Sequence, residues 1–322
     1  MESGFENFIR LEIKLLLLCW LYHHNSQSIL TKLPKTMNIK PFILLASLGL
    51  LASCDTKKEE GGSSDSTAVA EASLEQIWAT DTTLMTPESV LLNNDVLYVS
   101  LIDGQGGERD GKGGLAKVGT DGQIIDANWV TGLSAPKGMG IIAGKLYVTD
   151  LTDLVEIDLA TGKVLQKMAV EGADFLNDLS IASDGTIYFS DMNTGKIHTL
   201  KDGQIATYHE GIDNPNGVLA LSDGLLYTES GKLQKIDAQK NVTTLAGGMD
   251  KSTDGIEEIS PGEYLVSCWA GEVYHVKDGT ATKLLDTKDA KSNTADIGYD
   301  AAKKIVYVPT FFKNSVVAYQ LK

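Results

Sequence analysis

An all-β fold built from repeated four-stranded units follows from three features of the sequence. First, six stretches share one pattern: PESVLLNNDVLYVS from Pro87, PKGMGIIAGKLYVTD from Pro136, LNDLSIASDGTIYFSD from Leu176, NPNGVLALSDGLLYTES from Asn214, DGIEEISPGEYLVSCW from Asp254 and ADIGYDAAKKIVYVPT from Ala295. Aligned on a polar residue near the start of each, they give Glu88, Lys137, Asn177, Asn216, Asp254 and Asp296, at intervals of 49, 40, 39, 38 and 42 residues. Second, a tyrosine follows each of these anchors by 10 or 11 positions, at Tyr98, Tyr147, Tyr188, Tyr227, Tyr264 and Tyr307. Third, the hairpin dipeptides Asp121-Gly122, Asp184-Gly185, Asp202-Gly203, Asp223-Gly224 and Asp278-Gly279 join the apolar runs. Four antiparallel strands in each unit of about 40 residues is the pattern of a β-propeller blade. A six-bladed propeller is therefore predicted over residues 73–322.

The segments before it read in order. Residues 1–36 look like an upstream extension, because a second start at Met37 opens MNIKPFILLASLGLLASC, which has an early lysine and an apolar run short for a membrane span. Leu51-Ala52-Ser53-Cys54 resembles a bacterial lipoprotein cleavage box. On that reading residues 37–53 are the signal peptide and Cys54 becomes the lipidated first residue, anchoring the protein to the membrane of the bacterial cell envelope, at the outer membrane. The alternative is an ordinary cleaved signal with an incidental cysteine. Residues 54–72 are charged and rich in Gly and Ser, the composition of a disordered tether, and their Lys58-Glu59-Glu60 resembles a surface-export signal of Bacteroidetes lipoproteins.

Within the repeats, each unit reads as strand, turn, a second strand ending near the tyrosine, a third such as LVEID or KIHTL, and a fourth such as KVLQKMAV or QIATYH. The sixth unit ends after its third strand, VVAYQLK. Its missing fourth strand is available in SLEQIWAT, Ser73 to Thr80, whose pairing would close the ring and cover an open edge.

Composition limits the function. The 322 residues are 43% hydrophobic with 32 Gly, and the formal net charge is −15. Such a chain can bury a core, and it repels nucleic acid. Its acidity suits a cation or simply keeps it soluble. A monomer is expected. Of Cys19, Cys54 and Cys268, only Cys268 remains once the leader is removed and Cys54 acylated, so no intrachain disulfide is expected and Cys268 reads as a small buried hydrophobe.

In a propeller the first strand of each blade lines the central channel, so the six anchors form one ring. Loops after the second strands return to the same face and carry Asp103, Asp150, Asp191, Glu229, Trp269 and Phe311-Phe312. An acidic and partly aromatic rim around a polar centre is expected. Glu88, Asn177, Asn216 and Asp254 offer oxygen donors without thiolate or imidazole, a set that suits Ca²⁺, or Mg²⁺ or another hard divalent cation, and does not suit Zn²⁺. The same groups would also serve as strand caps around ordered water. A bound Ca²⁺ would polarise an ester or lactone carbonyl, with Asp254 as general base or water-positioning carboxylate and Glu88 mainly a ligand.

At these residues the chain resembles the senescence marker protein, gluconolactonase and luciferin-regenerating enzyme family: Glu88 in PESV, Asn177-Asp178 in LNDLS, Asn216-Gly217 in NPNGV and Asp254-Gly255 in TDGIEE. The resemblance implies a six-bladed propeller, a divalent metal held by the matching residues, and lactone hydrolysis. It departs where sugar-lactonase members carry a basic contact beside the third-blade Asn, since Asp174-Phe175-Leu176 stand here, which argues against a sugar-acid lactone. Lys137 either receives a substrate carboxylate or offsets Glu88, Asp254 and Asp296. Asp296, Trp269 and Phe311 are the other candidate substrate contacts. His198, His209 and His275 fall on outer strands and read as surface or packing residues. The Gly-rich insertion Gly106–Gly113 has no strand-to-helix setting for a phosphate loop and reads as a flexible lid over the channel mouth. Two functions remain open: a Ca²⁺-dependent lactonase or esterase, or a non-catalytic propeller that binds a ligand or protein around a structural metal.

Overall fold

The computed structural model describes residues 72–322; the extension, the signal peptide, Cys54 and the tether up to residue 71 lie outside them. Twenty-four strands form six separate four-stranded antiparallel sheets. Blade 1 holds β2 (Pro87–Asn93), β3 (Val96–Leu101), β4 (Gly113–Gly119) and β5 (Ile124–Leu133), ordered by hydrogen bonding as in the sequence. Blades 2 to 5 repeat this order, with innermost strands β6 (Pro136–Ile142), β10 (Leu176–Ile181), β14 (Pro215–Leu221) and β18 (Thr253–Ser260). The sixth is composite. Its strands β22 (Gly298–Asp300), β23 (Ile305–Pro309) and β24 (Val316–Leu321) are completed by β1 (Leu74–Ala79), which pairs with β24 from Leu74↔Leu321 to Ala79↔Val317. The predicted closing strand is thus present, one residue shorter at each end.

Apolar side chains of the middle strands alternate between the two faces of each blade and pack against neighbouring blades. One cluster joins Leu97, Val99 and Ala116 of blade 1 to Tyr307, Val316 and Ala318 of blade 6. Trp78 of β1 rests on it with its ring centroid 5.8 Å from that of Tyr307, and its indole N–H donates to the Thr120 carbonyl at 3.1 Å. The clasp is therefore packed as well as hydrogen-bonded. Cys268 is a fully buried member of the blade 4–5 core, where burial pushes its thiol up, as the packing reading expected.

One irregularity recurs and positions the site. In five blades the innermost strand's ladder with its neighbour skips: Pro87↔Leu101 is followed by Val90↔Val99, and the same skip occurs at Pro136/Met139, Leu176/Leu179, Pro215/Val218 and Thr253/Ile256. Two residues there face one, which is a β-bulge, and a bulge re-aims the side chains that it carries. The bulged pairs are Glu88-Ser89, Lys137-Gly138, Asn177-Asp178, Asn216-Gly217 and Asp254-Gly255.

Candidate metal and active site

The first residue of each bulged pair faces the channel mouth, and each is buried. In the three pairs that end in glycine the second residue meets the next blade. At Gly217 an added Cβ would lie 2.1 Å from the Asp254 carbonyl oxygen, and at Gly255 one would lie 2.1 Å from Asp296 Oδ1, so the glycines of Asn-Gly and Asp-Gly allow adjacent inner strands to approach. Hydroxyls of the second strands fasten the bulges. Ser100 and Ser190 accept from the Ser89 and Asp178 amides at 2.9 and 3.0 Å, while Thr149 and Thr228 donate to the Asn177 and Asp254 carbonyls of the following blade. The sequence reading missed this buried row, although a Ser or Thr stands one to three residues after each of the first five tyrosines.

Glu88, Lys137, Asn177, Asn216, Asp254, Trp269 and Phe311 all line one cavity of about 290 Å³, together with Ile102, Phe175 and Met192. Asp296 does not. It lines a second cavity of about 270 Å³ deeper in the channel, with Ser89, Asp178 and Glu257, and its carboxylate accepts from the Ser89 hydroxyl. Asp296 precedes the short β22 and bridges to Ser89 of blade 1, which draws it down the axis.

The amides at the mouth are oriented. Asn216 Nδ2 donates to Asp254 Oδ1 at 2.9 Å and Asn177 Nδ2 points to the Met192 sulfur, which leaves Asn216 Oδ1 and Asn177 Oδ1 buried without partners. Glu88 Oε2 is unpartnered too. Buried oxygens without donors are costly, and three of them on one small cavity create a demand for a cation or for donors. Among the described residues no three His, Cys, Asp or Glu side chains converge to hold a metal on their own, so a cation here needs the two amide oxygens. The donor set fits Ca²⁺ on these grounds, with Glu88, Asn177, Asn216 and Asp254 as the holding groups.

The electrostatics agree. Burial pushes the Glu88 carboxyl up to about 8 against the pull of Lys137, and burial with the nearby charges of Glu88 and Asp296 drives Asp254 well above the carboxylate range. Deeper in the channel Asp178 is likewise raised well above that range, first by burial and then by the charges of Asp296, Asp254 and Glu88. Asp296 is raised to about 7 and Glu257 to about 8, both mainly by burial. Lys137 is 2% exposed; burial lowers it, and the Glu88 and Asp150 charges oppose this. Its ammonium donates to the Ala135 carbonyl at 2.9 Å and lies 4.3 Å from the Phe175 ring centroid.

The expected acidic rim is corrected. Asp150 and Asp191 are buried, and their carboxylates accept backbone N–H groups from the loops ahead of Lys137 and Asn177: Ser134 and Ala135 for Asp150, Asp174 and Phe175 for Asp191. Burial raises Asp191, but the neighbouring His198 and Thr194 side chains together with the hydrogen bonds from those amides outweigh it and hold the carboxyl at about 2. Glu229 is tied to the Asp213 amide and the Gln234 side chain. These acids cap loops and do not face the cavity. His198 stands behind Asp191 with Nε2 3.7 Å from its carboxylate and is stacked on Phe189, a packing residue. The insertion reaches the mouth through Gly106 and is pinned to blade 2 by Arg109, whose guanidinium donates to Asp153 at 2.7 Å and to the Thr152 hydroxyl.

No protein-family model matches the sequence, and no curated protein matches it. Solved structures share the fold. Virginiamycin B lyase from Staphylococcus aureus superposes with a TM-score of 0.58 at 12% identity, covering 78% of this chain and 100% of that one. A gluconolactonase from Xanthomonas campestris gives 0.53 at 16% identity, covering 77% and 99%. A chain of the nidogen/laminin complex gives 0.53 at 13% identity, covering 62% and 79%. At such identities the likeness is one of fold, and it spans two enzymes and a component of a protein complex.

Proposed function

We propose that this protein is a Ca²⁺-dependent hydrolase of lactones or esters, lipid-anchored at Cys54 on the bacterial cell envelope. The observation that carries the reading is the set of unpartnered buried oxygens, Glu88 Oε2, Asn177 Oδ1 and Asn216 Oδ1, facing one cavity beside Asp254. When bound, the cation would polarise a substrate carbonyl and stabilise the negative charge that develops on its oxygen. With the cation favouring its ionised form, Asp254 would take the proton of the attacking water at a carboxylate oxygen and return it to the alcohol oxygen as the ester C–O bond breaks, and the Asn216 amide fixes its orientation through Oδ1. A gluconolactonase among the fold neighbours is consistent with lactone chemistry and virginiamycin B lyase with a lyase reaction, each by analogy of fold.

The test is a panel of lactones and aryl esters assayed with Ca²⁺ and with EDTA, with products identified so that hydrolysis is told from elimination. Turnover that EDTA removes and Ca²⁺ restores is expected. Ca²⁺ stabilisation without turnover on any member would favour the non-catalytic reading, in which the mouth binds a ligand around a structural metal. The anchor is tested separately: expressed from Met37 in a bacterial host, the protein should incorporate labelled palmitate and sediment with membranes, and Cys54→Ala should abolish both. Labelling that survives the substitution overturns the anchor.

A further inference from the structure

Two features of the mouth cavity are unexplained by metal binding, and together they define what enters it. The first is an aromatic wall. Trp269 of the β19–β20 loop (β19, Glu263–Cys268; β20, Glu272–Lys277) meets Phe311 and Phe312 of the β23–β24 loop edge to face, with ring centroids 5.4 and 5.9 Å apart, and the two phenylalanines lie 4.7 Å from each other. Trp269 is 37% and Phe312 66% exposed, unusual for rings that an ordinary core would cover. Phe311 is held at φ 48°, a left-handed conformation costly for an aromatic residue. Asn314 sustains the turn, accepting from the Thr86 amide at 2.9 Å and donating its own amide to the Phe311 carbonyl at 3.0 Å. The backbone thus keeps a strained geometry that presents this ring to the cavity.

The second feature is Lys137. It is buried, yet no carboxylate lies within salt-bridge distance of its ammonium among the described residues, and its one hydrogen bond goes to a backbone carbonyl. Two of its three donors are therefore unused. With a divalent cation at the mouth the charges of Glu88 and Asp254 are balanced, and the Asp150 carboxylate is already engaged by the Ser134 and Ala135 amides, so the free donors of Lys137 are left for an anion. Meanwhile the Ser252 and Thr253 hydroxyls are engaged with Asp250 and the Gly231 amide, and the surface left over is mainly carbon from Phe175, Met192, Trp269 and Phe311. Apart from the Asn214 side chain, little remains to pair with the hydroxyls of a sugar.

We infer that the cavity takes a ligand with a flat apolar ring and an anionic group, the ring against Trp269 and Phe311 and the anion on Lys137. The inference rests on the reading of the mouth as a Ca²⁺-loaded hydrolase site, and it names the substrate class: esters or lactones of ring-bearing acids that keep a free carboxylate. Binding, measured apart from turnover, tests it. The Ca²⁺-loaded protein is titrated with phenylacetate, benzyl alcohol, acetate and gluconate, followed by calorimetry and by tryptophan fluorescence, with the Trp269→Ala protein giving the share of Trp78 and Trp129. Phenylacetate should bind at least about tenfold more tightly than any of the other three. Lys137→Met should remove that advantage while leaving Ca²⁺ stabilisation in place, and Trp269→Ala should weaken phenylacetate without affecting acetate. Phenylacetate affinity unchanged in Lys137→Met would place the carboxylate elsewhere, for example on the cation, and overturn the assignment, as would gluconate binding as well as phenylacetate. Absence of any Ca²⁺ effect on the melting curve instead defeats the metal reading, and turnover with neutral substrates alone defeats the substrate class while sparing the hydrolase.

Discussion

Asn216 and Asp254 act as a pair: the amide spends its N–H on the carboxylate and turns its oxygen to the cavity. Ca²⁺ binds the native ring and not the unfolded chain, so it should raise the melting temperature, and Asn216→Ala should blunt that rise while costing about 1–3 kcal/mol through the unpaired Asp254. Asp254→Asn keeps an oxygen ligand but cannot accept a proton; it should retain much of the Ca²⁺ response and lose about 10²–10⁴ in turnover. His198→Ala should destabilise by about 1–3 kcal/mol, since the ring packs behind the Asp191 cap, yet leave the Ca²⁺ increment untouched. Thermal melts with and without Ca²⁺, paired with initial rates, check all three; an unmoved Ca²⁺ increment in Asn216→Ala would contradict the ligand assignment. The ring anchors were legible because each bulge falls at the same place in its repeat, so a polar residue recurs at a countable interval. The roles of Asp150 and Asp191 were not, because a carboxylate that receives backbone N–H groups and one that faces a ligand occupy the same position in sequence. Only the direction of the loop separates them.

At the scale of elements, the strand order and the composite sixth blade could be read from the repeats, since an N-terminal strand with no partner and a last unit one strand short imply each other. What the repeats hid was the shortness of β22, three residues where its counterparts have six to eight. Asp296 therefore sits before its strand and bridges to Ser89, so the sixth anchor belongs to the deeper cavity. The clasp makes a sharp prediction. Removal of residues up to 72 should leave a cooperative unit, whereas removal through Thr80 strips Trp78 from the blade 1–6 core and exposes the edge of β24. The longer truncation should melt at least about 10 °C lower, or aggregate, by calorimetry and light scattering; equal melting temperatures would contradict the closure.

For the whole molecule, the channel is a column of carboxyl groups under strain from burial. In metal-free protein Glu88, Glu257 and Asp296 titrate near 8, 8 and 7, above the ordinary values of 4.5, 4.5 and 3.8. Between about pH 4.5 and 8 the native state thus holds protons that the unfolded chain has released, and stability falls as pH rises through that window. Melts in EDTA should lose about 5 °C or more from pH 5 to 8. Saturating Ca²⁺ favours the ionised form of Glu88 and should flatten the slope; equal slopes with and without Ca²⁺ would place the cation elsewhere.

The ends of the propeller meet inside one sheet. Ser73 and Lys322 exchange backbone hydrogen bonds at 3.3 and 3.0 Å. A ring sealed in this way has no mechanical need for its gap to lie in blade 6. If a short peptide joined residue 322 to residue 73 and the chain were opened at the exposed Asp202-Gly203 hairpin, β13 (Gln204–Glu210) would become the leading strand and clasp β12 (Lys196–Lys201) from the far terminus, as β1 now clasps β24. Such a circular permutant should fold cooperatively and keep its Ca²⁺ response, because the five bulges and their anchors remain on unbroken inner strands and the Asp296 approach to blade 1 is untouched.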